Sequence, residues 1–218
     1  MKNLLKKEIL LCTNAQIVIF SLFALFILIP SWPPAIAFIY PLSGVMTLFP
    51  RGLANKDIEY TSLLPVKKTD IVKGKTLFIM VVELAVILLA TAGGIIRALY
   101  PIIPDASESD YYIKTQPTIS LLGFAFFAFG VMNFIMISMY YKNPYKRLSA
   151  PSLISIFAST FVLGIGTVLI VLVDVMRDYS PLGLMVQFIT LAVGMILFIV
   201  LSLLGYLLGA KRFEKVDL

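Results

Sequence analysis

The chain has 218 residues, of which 60% are hydrophobic and only 14% charged, whereas a soluble domain carries about 25% charged residues, so we expect a membrane protein. At about 20 apolar residues per helical span, this length allows roughly five to seven spans and leaves little for a separate soluble domain. The absence of histidine and the single cysteine, Cys12, exclude histidine-based catalysis, an internal disulfide and a zinc cluster, and the net charge of +6 is typical of cytoplasmic loops in a membrane protein.

The first 14 residues are predicted to form an interfacial segment that is retained in the mature chain. Lys2, Lys6 and Lys7 precede an apolar run that is longer than the ~7 to 15 residues of a signal peptide, and Glu8 interrupts the basic region. Wound as a helix, this segment places most of its apolar side chains opposite the lysines, as in an amphipathic helix on an anionic leaflet. Fraying at the end of the first span is the alternative interpretation.

Six transmembrane helices are predicted, so the fold class is an all-α polytopic membrane protein. The second span is short and has Pro41 and Gly44 inside it, so we expect it to kink. The sixth exceeds the ~30 Å hydrocarbon core and should tilt or project beyond it. Its Gly205 and Gly209 are spaced for close helix contact, either within the chain or in a dimer. The predicted spans are Ile9–Ile29, Ala35–Phe49, Thr76–Leu99, Ile119–Tyr140, Pro151–Val173 and Leu182–Ala210.

Lys and Arg residues are distributed unevenly between the two predicted faces of the membrane. All but three of the 18 fall in the N-terminal segment, in the loops after the second and fourth spans, and in the C-terminal tail. Because cytoplasmic segments are enriched in Lys and Arg, both termini and the loop 51–75 are predicted to be cytoplasmic. The three exceptions, on the predicted outer side, are Arg97, Lys114 and Arg177.

The loop 51–75 is predicted to contain a short cytoplasmic helix from Lys56 to Leu64. A capping residue and acidic residues in the first turn favour its start, and a proline ends it because proline disfavours a helical residue before it. These signals are Asn55, Asp57, Glu59 and Pro65.

One edge of this short helix is predicted to be apolar and exposed. The edge consists of residues at i, i+3 and i+4, namely Tyr60, Leu63 and Leu64. Lys67 and Lys68 flank it, and beyond them Thr69 can cap the third span, with Asp70 in the first turn of that span. Such an edge fits the groove of a partner protein, although an amphipathic helix that lies on lipid would show the same pattern.

Few residues inside the predicted spans could take part in transport chemistry. Glu83 lies about 10 Å into the third span and should face the bundle interior, where it would line a pathway or bond to a neighbouring helix. Phe127 and Phe134 on the fourth span are candidates for an apolar pathway, or for ordinary packing. Gly74–Thr76 lacks the first glycine of a phosphate-binding loop, so we expect no nucleotide or other cofactor on this chain.

A family resemblance rests on the topology and on residues 57–72. The stretch combines an acidic pair, a Leu-Leu-Pro triplet, a basic pair and an aspartate. Together with six spans and a basic N-terminal segment, it resembles small bacterial ABC-2 type permeases. More narrowly, it looks like the membrane subunits of exporters of phenol-soluble modulins, which are peptide toxins.

This resemblance implies a single ABC-2 type transmembrane domain over residues 1–218 that acts as half of a permease. It would pair with a second permease chain, as a homodimer or heterodimer, and with ATPase chains that bind ATP and Mg. The helix Lys56–Leu64 would be the coupling helix that rests on the ATPase. The implied ATPase contacts are Lys56, Asp57, Glu59, Tyr60, Leu63, Leu64, Pro65, Lys67, Lys68 and Asp70, with a second cytoplasmic contact at Lys142, Lys146 and Arg147.

The resulting hypothesis is the permease subunit of an ATP-driven exporter in a bacterial cell membrane. An apolar cavity would suit amphipathic peptides or similar amphiphiles. The expected partners are an ATPase, a second permease chain and membrane lipid, with no nucleic acid. The alternative is an accessory or sensory membrane protein that docks a cytoplasmic partner without transport. An intramembrane enzyme is disfavoured, because the sequence shows no convergent set of His, Asp, Glu or Cys.

Overall fold

The computed structural model describes residues 6–10, 13, 15–30, 32–63, 65–100, 116–144 and 148–216. Every regular element in these ranges is helical, so the all-α class is confirmed for them. Residues 6–10 form a helical segment. The remaining elements are α1 (Ala15–Leu22), which continues as a 3₁₀ helix (Phe23–Leu28), α2 (Ile36–Met46), α3 (Leu48–Ala54), α4 (Asp57–Ser62), α5 (Lys68–Leu99), α6 (Ile119–Tyr140), α7 (Ser149–Leu172), a second 3₁₀ helix (Asp174–Met176) and α8 (Pro181–Glu214).

Within the described ranges, five helical stretches are long and apolar enough to cross a membrane. They are Ile36–Ala54, Lys68–Leu99, Ile119–Tyr140, Ser149–Leu172 and Pro181–Glu214. The first predicted span instead gives the shorter apolar helix Ala15–Leu28. This helix consists of eight α-helical and six 3₁₀ residues and is therefore about 24 Å long, which is shorter than the hydrocarbon core of about 30 Å. Five of the six predicted spans therefore correspond to helices that are long and apolar enough to cross a membrane.

Several span boundaries differ from the prediction. The helix α5 begins at Lys68, eight residues before the predicted start at Thr76, and its N-cap is Lys67 rather than Thr69. No proline follows Pro65 within the range of α5, so the helix can begin soon after it. As predicted, Asp70 lies in the first turn of α5 and favours it through the helix dipole. The second span also continues beyond its predicted end, through α3 to Ala54.

The core is built around α6, whose backbone lies against that of α8. A Cβ added at Gly130 would lie 2.8 Å from the Cα of Phe198, and one added at Gly205 would lie 3.0 Å from the Cα of Phe134. Glycines at these crossings let the two backbones approach to van der Waals distance. The sequence left open whether Gly205 and Gly209 contact a helix of the same chain or of a second copy. In the structure both glycines lie against α6 of the same chain.

One end of the bundle collects the N-terminal helical segment, α4, the start of α5, and the last turns of α6 and α8. Ion pairs and hydrogen bonds join these elements. We call it the basic end, because most of the exposed Lys residues lie there.

The opposite end is held by polar contacts of a different kind. Gln187 accepts a hydrogen bond from the Ile119 N–H at 3.1 Å and donates one to the Asp178 carbonyl at 2.8 Å.

Candidate functional site

The predicted coupling helix corresponds to α4, which spans only Asp57–Ser62. Lys56 precedes it in the left-handed conformation, with φ 51° and ψ 34°, and this lets the chain turn sharply between α3 and α4. The prediction that Asn55 caps α4 is wrong. Its N–H donates to the Arg51 carbonyl at 2.9 Å, so Asn55 ends α3 instead.

The outer side of α4 is exposed. Tyr60 is 67% exposed and Leu63 is 82% exposed, so two of the three residues of the predicted apolar edge lie on the surface. The third, Leu64, lies outside the described residues. Lys56 and Glu59 form an exposed ion pair at 3.7 Å beside this edge, and Pro65 and Lys67 are exposed just after it. An apolar edge bordered by charges is the kind of surface that a partner groove can cover.

The inner side of α4 is held by charges from two other parts of the chain. Asp57 is only 6% exposed, so it cannot belong to the partner-facing surface to which it was assigned. Its Oδ1 pairs with Lys7 Nζ at 2.6 Å, and its Oδ2 pairs with Lys75 Nζ at 3.4 Å. Lys7 also donates to the Thr61 hydroxyl at 2.7 Å, one turn along α4. These bonds fix α4 against the N-terminal segment and α5.

Glu8 completes a cluster of four charged residues at the basic end. It is 2% exposed, and its carboxylate lies 2.9 Å from Lys7 Nζ and 3.5 Å from Lys75 Nζ. We call Lys7, Glu8, Asp57 and Lys75 the ionic cluster. Two cations and two anions balance one another, which offsets the cost of burying each charge. Residues 6–10 are therefore attached to the protein through Lys7 and Glu8, a role that neither interpretation of the N-terminal segment anticipated.

The ionic cluster makes the stability of the basic end depend on pH. Burial raises the pKa of Asp57, but Lys75 and Lys7 outweigh burial and hold it below its ordinary value. A carboxyl whose pKa is lowered in the folded state contributes stability above its unfolded pKa, near 4, and loses that contribution as the pH falls further. We therefore expect the stability difference between the wild type and Asp57→Asn to be constant near neutral pH and to shrink below about pH 4.

Thermal unfolding in detergent between pH 3 and pH 7 would measure this difference. Glu59→Gln, on the exposed side of the same helix, is the control and should show a much weaker dependence. A difference between wild type and Asp57→Asn that does not change with pH would contradict the assignment.

A second anchor attaches the start of α5 to the end of α8. Lys68 Nζ donates to the Val216 carbonyl at 2.7 Å and lies 5.9 Å from the centre of the Phe213 ring. Phe213 in turn packs on Tyr141, with ring centroids 5.1 Å apart. Lys68 was assigned to the partner-facing surface, and the structure shows it half-buried in contact with its own chain. Asp70 is also half-buried.

The second predicted cytoplasmic contact is described only in part. Lys142 is exposed just after α6, at the basic end. Lys146 and Arg147 lie outside the described residues.

Of the candidate pathway residues, Glu83 lies in the bundle interior. Glu83 on α5 is fully buried, and its Oε2 accepts a hydrogen bond from Asn133 Nδ2 on α6 at 2.7 Å. The same Nδ2 lies 3.0 Å from the Ser202 hydroxyl on α8. Of the two roles left open for Glu83, the structure shows the hydrogen bond to a neighbouring helix, α6. Phe127 and Phe134 are half-buried on α6.

A family model described as "ABC-2 family transporter protein" matches residues 3–208. No match was found among curated proteins or among solved structures. Members of this family are membrane components of ABC transporters, generally not catalytic themselves, and they generally work with an ATPase subunit. With a match over nearly its full length and several apolar helices, the chain is a multi-pass membrane protein that belongs to the ABC-2 transporter family.

Proposed function

We propose that the chain is one half of the permease of an ATP-driven exporter and that α4 is its coupling helix. The observation that carries this proposal is the two-sided character of α4. Its inner side is bonded to the N-terminal segment and to α5, while its outer apolar edge is exposed. A helix built in this way can receive a push on its outer side and pass it to the long helix α5.

The remaining subunits follow from this role. The partner under α4 is an ATPase that binds ATP and Mg, because members of the ABC-2 family generally work with an ATPase subunit. A second permease chain, identical or related, completes the passage. In this arrangement Ala15–Leu28 crosses the membrane as well, which brings the number of spans to six, and residues 1–218 form one transmembrane domain. The basic end, with both termini, faces the cytoplasm of a bacterial cell.

We propose amphipathic peptides or similar amphiphiles as cargo. The described membrane helices are rich in Phe, Leu, Ile and Met, and they present large apolar surfaces, as on α7 and α8. Apolar surface buries a hydrophobic face of the cargo without selecting by charge. The alternative, an accessory protein that docks a partner without transport, shares the same docking surface and differs only in what the partner does once bound.

The test is to place a charge in the centre of the apolar edge. Leu63→Asp should weaken ATPase binding by about 30-fold or more, because loss of a central apolar contact in an interface costs about 2 kcal/mol or more. Leu63 is so exposed that the folded chain itself should tolerate the change. Binding is measured by titrating the ATPase onto the purified permease in nanodiscs, and ATP turnover is measured in the same samples.

Asn55→Asp is the matched control, since it adds the same charge at an exposed position two residues before α4. It should bind and turn over like the wild type. Unchanged binding in Leu63→Asp would reject α4 as the docking element. Normal binding of the wild type with no effect of the permease on ATP turnover or on peptide export would favour the accessory role.

A further inference from the structure

A carboxyl group, a carboxamide and a hydroxyl meet in the interior of the bundle. Glu83 is on α5, Asn133 on α6 and Ser202 on α8, and all three side chains are fully buried. We call them the polar trio. Asn133 Nδ2 is the only side-chain donor that the described residues offer to Glu83, at 2.7 Å, and the same nitrogen lies 3.0 Å from Ser202 Oγ.

Two oxygen atoms of the trio need a hydrogen that the described residues do not provide. Glu83 Oε1 and Asn133 Oδ1 are buried, and neither has a hydrogen-bond partner among those residues. Both atoms are acceptors when Glu83 is ionised, so an ionised trio would bury acceptors without donors. A single proton on the carboxyl group converts one of these acceptors into a donor.

The charge of an ionised Glu83 would also be uncompensated. Among the described residues no cation pairs with Glu83. On α5 the nearest cation is Lys75, eight residues earlier or about 12 Å along the helix, and it is paired with Glu8 and Asp57. The other titratable groups on the helices packed against α5 are Tyr140 on α6, Tyr40 on α2, and Tyr206, Lys211, Arg212 and Glu214 on α8, the last three in the final turn of α8 at the basic end.

We propose that Glu83 is a proton-binding site and that its side chain in this arrangement is a neutral carboxylic acid. The proton comes from water, and loss of the proton would return it to water as the trio becomes hydrated. The neutral acid bonds with Asn133 and helps to join α5, α6 and α8. A bound metal ion is disfavoured, because the trio supplies one carboxylate, one amide and one hydroxyl, whereas hard cations take six or more oxygen ligands. The site does not depend on the coupling role of α4.

Infrared spectroscopy of the full chain in nanodiscs at neutral pH tests this proposal. The wild type should show the carbonyl stretching band of a protonated carboxylic acid, and Glu83→Gln should lack it. Glutamine has the shape and neutrality of the protonated acid, so this variant should fold. Glu214→Gln, at an exposed position near the end of α8, is the matched control and should keep the band.

A second measurement needs no variant. Wild-type chain labelled with ¹³C at the glutamate carboxyl carbons should show the same band shifted to lower frequency. The proposed acid band must disappear in Glu83→Gln and must shift with the glutamate label. A spectrum that contains no such band would overturn the proposal. So would a Glu83 carboxylate signal that changes when choline replaces sodium and potassium in the buffer, since it would indicate a bound metal cation.

Discussion

Replacement of Lys75 by methionine is expected to destabilise the folded chain by about 3 to 5 kcal/mol, the usual result of removing one partner from a buried ionic group. Lys75 is 2% exposed and faces the carboxylates of both Glu8 and Asp57. Its removal would take away a buried positive charge that faces both carboxylates. Methionine nearly retains the volume of the side chain, so the loss should come from charge rather than from a cavity.

The free energy of unfolding in mixed detergent and denaturant measures the effect. Lys73→Met is the control, because Lys73 lies two residues earlier on the same helix and is exposed. Its stability should change by no more than about 0.5 kcal/mol, as for most surface substitutions. Equal stabilities for the two variants would show that the ionic cluster does not hold the basic end together.

The same cluster shows which parts of the site the sequence could not predict. Asp57 and Glu59 were correctly placed near the start of a short helix, because helix signals are local. Asp57 is buried because Lys7, 50 positions earlier, and Lys75, 18 positions later, lie against it, and no local pattern pairs either lysine with Asp57. One indication was present in the sequence: when Met1–Leu11 is wound as a helix, Glu8 falls on the apolar side, and a charged residue there often has a buried partner.

The membrane spans were easier to predict than the polar contacts between them. The bounds of α6, Ile119–Tyr140, agree with the prediction at both ends, because apolar runs flanked by polar or proline residues define a span locally. The predicted cap of α5, Thr69, is two residues from the observed N-cap, Lys67, whereas the apolar run starts only at Thr76 because the helix continues through charged residues before it. Similarly, Glu83 was identified as a buried carboxyl, whereas its partners Asn133 and Ser202 could be found only once the packing of α6 and α8 was known.

The crossing of α6 and α8 should be the position in the bundle least tolerant of added volume. A Cβ at Gly194 would lie 2.7 Å from the Cα of Gly123 and would also overlap the carbonyl group of that residue. These are backbone atoms, so no side-chain rotation can relieve the overlap. We expect Gly194→Ala to destabilise the chain by about 3 kcal/mol, at the upper end of the range for overpacking, because two long helices would have to separate.

Gly164→Ala provides the matched control for Gly194→Ala. Gly164 lies inside the helix α7, and beyond its chain neighbours and the adjoining helix backbone no atom of the described residues would lie within 4 Å of an added Cβ. Alanine is favoured over glycine in a helix by up to about 1 kcal/mol, so this variant should be as stable as the wild type or slightly more stable. Thermal unfolding in detergent compares the two variants directly. If Gly194→Ala were as stable as Gly164→Ala, α6 and α8 could not be in backbone contact at this crossing, and the polar trio between α5, α6 and α8 would lose its geometric basis.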